Sequence, residues 1–110
     1  MKSLKNGDLK WIAVDFDNTI CDNTGHPNYK PTKPLKGAKE ALEKLTSDGW
    51  KITIFTARPY SDYQLIENWM IQYKIPFRRI ICGKPLCRYI IDDKNIEFKG
   101  KWKEVLRKIK

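Results

Sequence analysis

The sequence predicts an α/β protein with an open parallel sheet and helices on both faces. Three observations carry the prediction. Short apolar runs rich in β-branched residues alternate with stretches of helical period, turn residues bound each run, and no internal repeat or low-complexity segment breaks the order.

The first run, "LKWIAVDF" (Leu9 to Phe16), is apolar, bounded by charged and turn residues, and reads as a buried strand. From Cys21 to Lys33 the chain turns to Asp, Asn, Gly and Pro and loops. "PLKGAKEALEKLTSDG" sets Leu35, Ala38, Leu42 and Leu45 on one helical face, with Pro34 near its start and Gly49 as terminator. "WKITIFTA" (Trp50 to Ala57) is a second buried strand. "YSDYQLIENWMIQYKI" is a second helix, with Leu65, Ile66, Trp69, Met70 and Tyr73 facing inward and Pro76 beyond its end. "RRIIC" and "RYIID" read as two short strands separated by the turn-like "GKPL". In "KWKEVLRKIK", Trp102, Val105, Leu106 and Ile109 fall at the i, i+3, i+4, i+7 spacing of a helix with one apolar stripe.

With 110 residues the chain fits one domain, 1–110, large enough for a real core. No apolar run approaches the roughly 20 residues of a membrane helix, and "MKSLKNGDLK" lacks the apolar segment of a secretory signal, so the expected location is the cytoplasm with no membrane partner. The three cysteines, Cys21, Cys82 and Cys87, form no paired zinc pattern and read as buried free thiols. Lys and Arg number 22 against 13 acids, a net charge of +9. Such a field draws in phosphorylated or polyanionic partners, although the same lysines also serve solubility. The four tryptophans could stack on nucleic acid bases, but Trp69 and Trp102 lie on apolar helix faces and Trp11 and Trp50 start strands, so all are assigned to packing.

Ligands in open α/β sheets bind beyond the carboxyl ends of the strands. Asp15 and Asp17 stand at the end of the first strand, Thr56 and Arg58 at the end of the second, Lys84 past the third, and Asp92 with Asp93 at the end of the fourth. Each cluster alone has a plain reading as turn chemistry. Together they converge on one edge. Carboxylates without His or Cys neighbours make an oxygen-only site suited to Mg²⁺, which is commonly shared with a phosphate. A lysine, a threonine hydroxyl and strand-end N–H groups suit the remaining phosphate oxygens. One carboxylate could attack phosphorus and the other could serve as acid and base. A calcium loop is excluded, because Ile20 stands where that loop needs Gly and His26 where it needs Glu.

At these residues the chain resembles the haloacid dehalogenase-like superfamily of phosphatases. "DFDNT" is similar to its first motif, Thr56 in "IFTAR" to its second, Lys84 in "GKP" to its third and Asp92-Asp93 in "YIIDD" to its fourth. The resemblance implies a Rossmann-like sheet, Asp15 as nucleophile, and Asp17 as acid/base that also offers its main-chain carbonyl to Mg²⁺. It further implies Asp92 as a metal ligand, Thr56, Ala57 and Lys84 as phosphate-binding residues, and Asp93 as a residue that supports the metal or orients the lysine. Metal contacts thus fall to Asp15, Asp17 and Asp92. The implied activity is Mg²⁺-dependent hydrolysis of phosphomonoesters through an aspartyl phosphate. Arg58, at the site edge, has two readings apart from the resemblance: a contact to a second substrate charge, or a strand-exit residue held by a helix end. The gaps between motifs leave no room for a cap domain, only for a flap at about 23–33, where His26, Asn28 and Tyr29 lie. An open site suits a large or polyanionic substrate: a small molecule, a sugar phosphate or a phosphorylated nucleic acid end. Otherwise a second subunit of a homo-oligomer would cover it. The alternative is a non-catalytic basic module that binds phosphorylated nucleic acid or protein.

Overall fold

The computed structural model describes residues 10–23 and 30–109. Most of the expected flap, with His26, Asn28 and Tyr29, and the start of the first expected strand at Leu9 lie outside the described residues. Three strands, β1 (Trp11–Val14), β2 (Lys51–Phe55) and β3 (Arg79–Ile81), form a parallel sheet in the order β1-β2-β3. Between and after them come α1 (Ala38–Ser47), α2 (Tyr63–Gln72) and α3 (Trp102–Lys108). This is the expected open, Rossmann-like α/β arrangement, and no further domain is inserted among the described residues.

Register decides which side of the sheet is core. Ile12 pairs with Ile52, Val14 with Ile54, and Ile54 with Ile80, so one face carries an unbroken aliphatic layer. Ala38, Ala41, Leu42 and Leu45 of α1, Ile66, Trp69 and Met70 of α2, and Trp102 of α3 bury themselves in the same cluster. At roughly 25 cal/mol per Å² of apolar surface removed from water, each buried Leu, Ile or Met among them contributes about 1.5–3 kcal/mol before entropy is counted. The opposite face, with Trp11, Ala13, Phe55 and Ile81, contributes nothing to that cluster, and mid-strand Ala13 is exposed.

Among the described residues the three helices all bury side chains in the cluster on the first face, for a topological reason. Two successive right-handed crossovers that step the same way across a sheet put both helices on one side. Covering the other side requires the chain to return past β1 through a fourth strand. That strand is not formed: residues 82–101 carry neither strand nor helix, and Leu86 and Ile91 are 89% and 100% exposed. β1 thus keeps a free edge.

The helix ends follow the backbone chemistry. At the end of α1, Gly49 has φ 93°, its N–H donates to the Thr46 carbonyl, and Trp50 N–H donates to the Leu45 carbonyl. That pattern satisfies carbonyls a helix otherwise leaves open. Lys74 plays the same part after α2, at φ 57°, followed by Ile75 N–H donating to the Met70 carbonyl. A short 3₁₀ turn, Tyr60–Asp62, takes the first residues expected in α2, and Leu65, expected to face inward, is 41% exposed. In α3 the apolar stripe behaves as read: Trp102 is buried, its indole N–H donates to the Thr19 carbonyl at 2.9 Å, and Val105, Leu106 and Ile109 are half-buried. Cys21 and Cys82 are buried as expected, but Cys87 is exposed. No helix among the described residues is long and apolar enough to cross a membrane.

Candidate active site

Three strand ends meet at one edge of the sheet. The connection after β1 is tightly wired: Ile20 and Cys21 N–H both donate to the Phe16 carbonyl, and Asn18, at φ 57°, donates its N–H to the Cys21 carbonyl. Phe16, Ile20 and Cys21 are wholly buried, which anchors a loop that otherwise carries only polar groups. The loops after β2 and β3 are laced together by Lys84 N–H donating to the Thr56 carbonyl at 2.9 Å and Gly83 N–H to the Arg58 carbonyl at 3.0 Å.

This lacing brings Asp15, Ala57 and Lys84 to one open cleft of about 630 Å³, lined also by the segment from Pro85 to Ile90 and by Asn95 and Glu97. Asp15 accepts a hydrogen bond from Phe16 N–H at 2.9 Å. Burial pushes its carboxyl pKa upward and the charge of neighbouring Asp17 adds to the rise, while the Lys84 ammonium and the Phe16 N–H pull against it. Lys84 is thus a cation that favours the ionised form of Asp15. Its ammonium also sits 5.5 Å from the centre of the Phe55 ring.

Asp17 faces a different cation. Arg58 Nη2 donates to Asp17 Oδ1 at 2.7 Å and Arg58 Nε to Oδ2 at 2.9 Å, a two-pronged grip that fixes orientation as well as charge. Asn23 Nδ2 donates to the same Oδ1 at 2.7 Å. Arg58 is only 8% exposed, lies 5.6 Å over the Phe16 ring, and also donates through Nη1 to Asp62 Oδ2 at 3.2 Å. Burial works against its charge, and the hydrogen bonds and charges of Asp17 and Asp62 more than offset that, so its pKa is raised. Of the two readings of Arg58, the contacts present are those of a strand-exit residue held in place, here by Asp17 and Asp62. Sequence reading missed Asp62 and Asn23. A signal for Asp62 was present, since it stands four residues after Arg58.

Thr56 is fully buried, and its Oγ1 accepts the Arg58 N–H at 3.1 Å. Asp92 and Asp93 do not join the cleft wall. Both are exposed on the segment that failed to become a strand: Asp92 Oδ1 accepts Lys94 N–H at 2.9 Å, and Asp93 is paired with the Lys94 ammonium at 3.2 Å. Hydrogen bonds from Lys94 lower the Asp93 pKa. Among the described residues no three acids, histidines or cysteines gather as ligands for a cation. The donors that fit Mg²⁺ are thus Asp15 and, by the family resemblance, the Asp17 main-chain carbonyl. Mg²⁺ commonly takes one or two carboxylates and completes its shell with phosphate and water. The three-acid set expected with Asp92 does not assemble here.

An Asp pair after the first strand and a lysine after the third, on a parallel α/β sheet, define a hydrolase of the haloacid dehalogenase type. Residues 12–83 match the family model described as haloacid dehalogenase-like hydrolase, and the chain belongs to that family. The fold is similar to a crystal structure of a structural-genomics target from Vibrio cholerae, with a TM-score of 0.67 and 26% identity over 80% of this chain and 83% of that one. No curated protein matches the chain.

Proposed function

We propose that the protein is a cytoplasmic, Mg²⁺-dependent phosphomonoester hydrolase that works through an aspartyl phosphate. One observation carries the reading: in a chain of this hydrolase family, Asp15 and Lys84 line one cleft at the carboxyl end of the sheet. An Asp15 oxygen would bond to phosphorus as the ester P–O bond breaks and the leaving oxygen takes a proton; water then cleaves the acyl phosphate and returns the carboxylate. Lys84 and the N–H groups around Ala57 would hold phosphoryl oxygens and offset the charge that builds on them. Asp17 would give and later take the proton, which requires it to exchange Arg58 for the leaving oxygen. Magnesium, when bound, supplies further charge neutralisation at the phosphoryl group.

Asp15→Asn tests this directly. Turnover of p-nitrophenyl phosphate with Mg²⁺ should fall to background, and far-UV circular dichroism should match the parent. A variant that keeps its fold and its turnover would remove Asp15 from the chemistry.

A further inference from the structure

The face of the sheet that no described helix covers is not a plain apolar surface. Trp11, Ala13, Lys51, Thr53, Phe55 and Arg79 share it, because strand side chains alternate and the register aligns Trp11 with Lys51, and Ala13 with Thr53 and Arg79. Arg79 reaches from β3 across β2: its Nε donates to Thr53 Oγ1 at 2.9 Å and its guanidinium lies 4.3 Å from the centre of the Trp11 ring. Lys51 Nζ stands 5.4 Å from the same ring. The result is an aromatic and guanidinium cluster with the Lys51 ammonium beside it. From it the face leads toward the cleft, since Asp15 follows Trp11 and Ala13 at the same two-residue step, and Lys84 spans Phe55 and the Asp15 carboxylate.

We infer that this face binds single-stranded nucleic acid, with bases stacked on Trp11 and Arg79 and phosphates matched to Lys51, Arg79 and Lys84. Charge selects this occupant. A second copy seated face to face would set these cations against their own kind, in a chain already at +9. An apolar helix would leave them unpaired. A polynucleotide supplies both a π-face for the cluster and anions for its cations. Asp15 lies about 13 Å along the strand from Trp11, or about four stacked nucleotides. This deepens the proposed function by naming the substrate as a phosphorylated strand end, but binding to the face stands apart from turnover in the cleft.

The test uses the full chain and fluorescein-labelled (dT)₁₂, read by fluorescence anisotropy at about 50 mM salt, with inorganic polyphosphate as a polyanion lacking bases. Trp11→Thr should weaken oligonucleotide binding about tenfold or more, the loss of one stacking contact. Binding of polyphosphate and turnover of p-nitrophenyl phosphate should stay unchanged. Arg79→Gln should weaken oligonucleotide binding too and reduce the salt slope by about 0.7. Arg79 is exposed, so this variant decides the matter even if Trp11→Thr fails to fold. Absence of binding, binding that both variants leave intact, or a dimer that shields Trp11 in sedimentation and quenching experiments would overturn the inference. If Asp15→Asn kept full turnover while Trp11→Thr lost oligonucleotide binding, the face would stand and the phosphatase reading would fall.

Discussion

Arg58 shows how far a single residue can be read from its neighbours in sequence. Its position after Thr56 left contact with substrate open, whereas its guanidinium is taken up by Asp17 and Asp62. Position relative to a strand end was legible; direction was not, because direction is set by Asp17, which approaches only after β1 and β2 pair. Asp15 and Lys84, by contrast, were legible as a pair, since each follows a parallel strand and the carboxyl ends of parallel strands lie on one edge of the sheet. Their coupling gives a prediction about pH. The folded state raises the Asp15 pKa, so it holds that proton to higher pH than the unfolded chain does. Any stability tied to the protonated form is complete below the unfolded value and fades as pH rises through the folded one. In the proposed reaction the nucleophile is the ionised form, so the acid limb of kcat/KM should lie above that of an ordinary aspartate. Lys84 holds the value down, and Lys84→Met should move that limb to still higher pH while lowering the plateau roughly a hundredfold. A pH–rate profile for p-nitrophenyl phosphate in which the limb stays put, or moves down, would show that Lys84 does not face Asp15.

At the level of elements, helices were legible wherever period and termination agreed. Gly49 ended α1 as read, because a residue at φ 93° there admits the two closing hydrogen bonds. Lys74 does the same job at φ 57° without the advantage of lacking a Cβ. The two sites therefore predict opposite signs. Gly49→Ala should destabilise by about 1–2 kcal/mol, the cost of a left-handed L-residue. Its new Cβ would also meet the Lys10 ammonium at 3.4 Å, a flexible neighbour that can move. Lys74→Gly should stabilise by up to about 1 kcal/mol, relief of strain being partly offset by the freer unfolded chain. Urea melts of both variants at one pH check the pair, and equal signs would contradict the assigned backbone. The fourth strand, with Asp92 at its end, failed for a reason that lies outside local pattern. "RYIID" has strand-forming residues, but strand propensity expresses packing against neighbours more than backbone preference. Without pairing to β1, Asp92 closes a turn on Lys94 N–H instead.

Across the whole molecule, the expected class of sheet formed but its layers are uneven, with the core on one side and a basic aromatic face on the other. Trp69 and Trp102 packed where apolar helix stripes pointed, whereas Trp11 went to the open face. Strand parity alone could not tell these apart, since it needs to know which side the helices take. The same unevenness governs the thiols. Burial together with the Asp17 charge leaves the Cys21 thiol pushed up to about 12, and burial also raises that of Cys82. Thiolates are the reactive species, so both should be inert in the folded protein. Cys87 is exposed and lines the cleft beside Lys84. Iodoacetamide at pH 8 should therefore modify one thiol per folded chain, identified as Cys87 by peptide mapping, and all three only in denaturant. Inorganic phosphate held by Lys84 should slow that one reaction and leave the denatured rates alone. Rapid modification of Cys21 in the folded chain would mean that the loop after β1 opens, and with it the grip of Arg58 on Asp17. Protection of Cys87 without phosphate would mean that residues 85–90 are covered in solution.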